Sequence, residues 1–135
     1  MTEIRHPAVA GTFYPAEPGA LARQLAQFMS EAGNAAPLSA LPKAIIGPHA
    51  GYVYSGPVAA RAYARLTAAR GKISRVVLIG PSHYVGFRGL AVDTAEAWAM
   101  PTGTVALDTE AITRLRALPM VGELEAAYQR EHALE

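Results

Sequence analysis

Ala44-Ile45-Ile46-Gly47-Pro48-His49-Ala50-Gly51-Tyr52 is the stretch from which the fold is read. A short apolar run ends in Gly-Pro and then delivers a histidine. Val76-Val77-Leu78-Ile79-Gly80-Pro81-Ser82-His83-Tyr84 repeats the arrangement, with the histidine one residue later. Apolar runs of this length, bounded by turn residues, predict buried parallel strands at about 43–47 and 74–79. Gly-Pro stops each one, because proline donates no ladder hydrogen bond and restricts the residue before it. Both histidines would then sit just past the carboxyl ends of strands, where open α/β sheets place their ligands.

Between the runs, Ser55 is a candidate N-cap with Pro57 in the first turn. Val58, Ala62 and Leu66 give the following helix an apolar stripe up to about 70. Residues 43–79 are thus expected to form one right-handed βαβ unit. Upstream, residues 6–18 carry three prolines and the pair Phe13-Tyr14, predicting an ordered, non-helical arm. Leu21, Leu25, Phe28 and Met29 then mark one face of a helix that starts at Pro18 and ends at Gly33-Asn34. Downstream come an expected short strand at 90–92, a connection holding Trp98, and a further strand at 104–107. Asp108 should cap a helix ended by Pro119, and residues 123–135 read as a charged, helix-compatible tail.

With 135 residues, 51% of them hydrophobic and 17% charged, the chain predicts a single α/β domain over 1–135. A net charge of +1 without a run of Lys or Arg gives no support for a nucleic-acid or membrane partner. The sequence has no cysteine, which excludes disulfides and thiolate metal sites within it. No apolar stretch has the length of a signal core or a membrane span, so a cytoplasmic location is expected.

Two histidines at strand ends, flanked by glycines, point to a metal site at His49 and His83. The competing reading is two unrelated loop histidines bonded to backbone. Imidazole suits Zn, Cu, Fe or Ni, and two histidines with one carboxylate form the triad of non-haem Fe(II) oxygenases. No HExxH, GxSxG, GxGxxG or P-loop pattern occurs, which argues against a helix-borne zinc site, a serine hydrolase elbow or a nucleotide fold. Phe13, Tyr14, Tyr52 and Tyr54 are read either as packing or as walls of an aromatic pocket. His132, alone in a charged tail, reads as solvated helix surface.

Four motifs together carry a resemblance. They are residues 5–15 (RHPAVAGTFYP), 47–56 (GPHAGYVYSG), 80–84 (GPSHY) and 130–135 (REHALE). In this order they resemble the Memo family, whose prokaryotic members belong to a system that also contains a radical-SAM protein. The resemblance implies a mainly parallel central sheet flanked by helices, similar to class III extradiol ring-cleaving dioxygenases. It implies Fe(II) or Cu as cofactor, with His49 and His83 as metal ligands and His132 in an acid–base role. It also implies a dioxygenase-like oxidoreductase acting on a small molecule. The alternative is a non-enzymatic module that binds an aromatic or phosphotyrosine peptide. Phe13, Tyr14, Gly51, Tyr52 and Ser82 would border the pocket. The resemblance covers about the first half of a family member, whose third ligand and Asp/His pair belong to its second half. The expectation is therefore an incomplete fold with a two-histidine half-site, capable of self-association through an exposed sheet edge.

Overall fold

In a computed structural model, which describes residues 3–33 and 40–135, the stripe Leu21, Leu25, Phe28 and Met29 lies on helix α1 (Pro18–Ala32). Pro18 takes the first helical position. The Glu17 carboxylate caps the helix, accepting from the backbone N–H of Gly19 at 2.8 Å and of Ala20 at 2.5 Å. Those two N–H groups hold the Glu17 carboxyl below its ordinary value. Gly33 closes the other end with φ of 67°, as the Gly-Asn signal predicts.

The described residues group into two compact units, one within Gly11–Ile79 and the other combining the stretch up to Ala10 with Gly80–Glu135. In the first unit α1 packs against α2 (Tyr52–Tyr63), with the Phe28 ring over the bare Cα of Gly56. Helix α2 begins four residues earlier than the sequence predicts. Gly51 occupies its N-cap position, and the Ser55 hydroxyl donates to the carbonyl of Ala50 at 2.6 Å rather than capping. Pro57 consequently lies inside the helix. The chain continues as a 3₁₀ segment at Ala64–Ala69 and turns at Gly71, where φ is 75°.

The two founding runs depart from expectation. Residues 43–47 and 74–79 belong to no ladder among the described residues, so the predicted βαβ unit does not form as a sheet. Their side chains face solvent, with Ile46 98% and Val77 75% exposed. A run of Ile and Val supplies strand propensity but not a partner, and a strand exists only once its backbone groups are paired.

The second unit holds the sheets. Strand β1 (Ile4–Arg5) and β2 (Leu90–Val92) come first in the chain. They are followed by β3 (Ala97–Met100), β4 (Gly103–Ala106) and β5 (Val121–Glu123). β1 runs parallel to β3, which forms an antiparallel hairpin with β4 across Pro101-Thr102; β2 and β5 form a separate parallel pair. Helix α3 (Thr109–Leu115) is capped by Asp108, whose carboxylate accepts from the Ala111 N–H at 2.9 Å. The described residues are thus mixed α/β, with three α-helices and small sheets, in agreement with the predicted class.

Trp98, expected in a connection, is the middle of β3 and organises a polar core. Its indole N–H donates to the buried Asp93 carboxylate at 2.7 Å, and the Arg5 guanidinium lies over its ring at 4.9 Å. Arg5 also donates to the carbonyls of Tyr128 and Glu131 at 3.2 and 2.7 Å and pairs with the Glu135 carboxylate at 2.9 Å. Glu135 further accepts from the N–H groups of Ala8 and Val9 at 2.8 and 3.2 Å. The tail is therefore not the predicted solvated helix. After a 3₁₀ turn at Glu125–Ala127 it folds inward as turns, because its carboxylates find buried partners.

Candidate functional site

The Gly80-Pro81-Ser82-His83-Tyr84 loop is closed by the Ser82 hydroxyl, which donates to the Val85 carbonyl at 2.8 Å. Gly80 lets this loop lie against the tail, since a Cβ there would run into the side chains of Ala133 and Leu134. What joins the two segments is Glu131. Its Oε2 accepts from the His83 backbone N–H at 2.6 Å. Its Oε1 accepts from the N–H groups of His132 and Ala133, each at 2.9 Å, and lies 2.8 Å from His83 Nδ1.

The Glu131 side chain is only 5% exposed, while that of His83 is 37% exposed. Burial pushes the Glu131 carboxyl up. The His83 backbone N–H, the His83 ring and the N–H groups of Ala133 and His132 outweigh it and bring the carboxyl from 4.5 down to about 2. An ionised carboxylate can only accept, so a hydrogen bond at this contact needs the proton on His83 Nδ1. The His132 ring stacks on that of His83 with centroids 4.4 Å apart and planes 20° from parallel. Tyr84 meets both rings edge-on, at 6.5 and 6.4 Å, and carries the Arg130 guanidinium 4.9 Å from its own ring centre.

The structure therefore brings two of the predicted residues, His83 and His132, side by side. His132 is half-buried, not on a solvated helix face. Ser82 stands beside His83 but holds its own loop. In the other unit the Tyr52 N–H donates to the Phe13 carbonyl at 2.7 Å, and Gly51 lies against Phe13. The Tyr14 ring, which is buried, packs 5.3 Å from that of Tyr52. Exposed His49 precedes this cluster in the same unit, two residues before the Gly51 cap of α2. Sequence reasoning missed Glu131 and Arg5. Both stood in quoted motifs, and the signal for Glu131 was its place directly before His132.

A family model described as Memo-like protein matches residues 5–135. This chain belongs to the Memo family. It is 37% identical over 133 residues to a MEMO1 family protein of Aquifex aeolicus, covering 98% of this chain and 47% of the relative. With a MEMO1 family protein of Ignicoccus hospitalis it shares 41% identity over 140 residues, covering 98% and 49%. A MEMO1 family protein of Methanothermobacter thermautotrophicus is 38% identical over 138 residues, covering 98% and 50%. The chain spans about half the length of the curated relatives it matches.

The donor set of this Memo-family chain fits the borderline metals that the resemblance implies. Imidazole suits iron, copper and zinc, and a histidine whose Nδ1–H is fixed by a carboxylate presents Nε2 as its ligating atom. Both oxygens of Glu131 already accept from the His83, His132 and Ala133 donors, which makes it the partner of His83.

Proposed function

We propose that this chain supplies the histidine side of a metal site, holding Fe(II) or Cu, in a Memo-family protein with dioxygenase-like oxidoreductase chemistry. The histidines assigned to the site are His49, His83 and His132, a group that could hold a metal ion. The observation that carries the reading is the His83 ring held through Nδ1 by buried, ionised Glu131, the arrangement that prepares a histidine for a metal. His49 is assigned as the second ligand from the repeated Gly-Pro turn in the sequence. His132, stacked on His83, is the group assigned to carry a proton to or from substrate. A bound iron or copper ion would supply redox and Lewis-acid chemistry. Phe13, Tyr14, Gly51, Tyr52 and Ser82 are assigned to the substrate side, for a small molecule or an aromatic or phosphotyrosine peptide.

Titration of Fe(II), Cu and Zn into the wild type and into a His49→Ala, His83→Ala variant tests the reading. Metal binding by the wild type that the variant loses supports it, and equal affinity in both removes it. Saturable binding of a phosphotyrosine peptide, indifferent to chelator and weakened by Phe13→Ala, would favour a non-enzymatic module instead.

A further inference from the structure

We propose that Glu131 is a positioning residue: it selects the Nδ1–H tautomer of His83 and thereby makes Nε2 the atom that meets a metal. The use of that nitrogen rests on the metal reading above, whereas the tautomer itself does not. Histidine in water favours the opposite tautomer, with the proton on Nε2. A bare Nδ1 at 2.8 Å from a carboxylate oxygen would set lone pair against lone pair, so the Glu131 contact reverses that preference.

The same carboxylate fixes where the ring stands. Oε2 takes the backbone N–H of His83 itself at 2.6 Å, so the residue is held at its main chain and its ring by one group. Oε1 also takes the N–H groups of His132 and Ala133. Glu131 thus holds its own turn and His83, 48 positions upstream, in one register. Glutamine cannot copy this. With its oxygen in the Oε1 position, its amide nitrogen faces the His83 backbone N–H. With the amide reversed, it faces His83 Nδ1 and the two tail N–H groups. Only a carboxylate accepts at every one of these points.

The test is ¹⁵N NMR of the imidazole nitrogens in the metal-free chain at about pH 8, above the ordinary histidine range. His83 is assigned by its absence in His83→Ala. The expected wild-type spectrum shows a protonated Nδ1 and a bare Nε2 at His83. Glu131→Gln should move the population toward Nε2–H and weaken binding of Zn(II), used as a diamagnetic probe, by 10- to 100-fold, the range expected when such a supporting contact is lost. A wild-type His83 protonated on Nε2 overturns the proposal without any variant, so it stays testable if Glu131→Gln fails to fold. An unchanged tautomer in a folded Glu131→Gln overturns it too, as does a changed tautomer with Zn(II) affinity intact. If the wild type shows the Nδ1–H form but binds no metal, the metal reading fails while the tautomer assignment stands.

Discussion

Glu131 sits where burial and hydrogen bonding oppose each other, and the lowered value of about 2 shows that hydrogen bonding wins. Its folded value lies below the ordinary 4.5, so the linked stability is fully present above pH 4.5 and is lost as pH falls toward 2. A shift of this size corresponds to about 3 kcal/mol at most. Urea unfolding followed through Trp98 fluorescence at a series of pH values should therefore show a stability gap between the wild type and Glu131→Gln that narrows across this window. A gap constant with pH would refute the linkage. A second prediction at this scale concerns Gly89, whose φ is 89° and whose Cβ position is filled by the Met120 carbonyl. Backbone strain and a backbone clash act together there, so Gly89→Ala should cost about 2 kcal/mol or more, read as a lowered urea midpoint.

The elements show which sequence signals were sufficient. Helix α1, its Gly33 end and the Asp108 cap were legible because each depends on residues within one or two turns. Asp108→Ala should accordingly cost about 1 kcal/mol, lowering the urea midpoint without changing the slope. Strand β3 was missed because Ala97-Trp98-Ala99-Met100 carries little strand propensity of its own and one of its partners lies far along the chain, with Ile4 opposite Ala97. The start of α2 was misplaced because Ser55 uses its hydroxyl on Ala50, a choice that the residue type alone does not reveal. At the site, His83 and His132 were flagged from their motifs, but their stacking and the inward Glu131 were not. A glutamate in a charged tail is usually solvated, and only the fold places it under His83.

For the molecule as a whole, the runs 43–47 and 74–79 are the features that its own ladders leave unused. Ile46, Val76, Val77, Leu78 and Ile79 expose apolar side chains outside any ladder among the described residues. Such a segment is a template for edge-to-edge pairing, and a second copy of the chain carries the same segment. Sedimentation equilibrium should therefore show reversible association that rises with concentration. Amide exchange at 76–79 should be fast in dilute solution and slow as association proceeds, whereas β3 should be protected throughout. Lysines at Val77 and Ile79, which share one face wherever the segment pairs as a strand, should abolish association. Because both side chains are solvent-facing, the double variant should keep its unfolding midpoint to within about 0.5 kcal/mol. A chain that stays monomeric at every concentration, or a double variant that associates as strongly as the wild type, would show that these runs are not the adhesive surface.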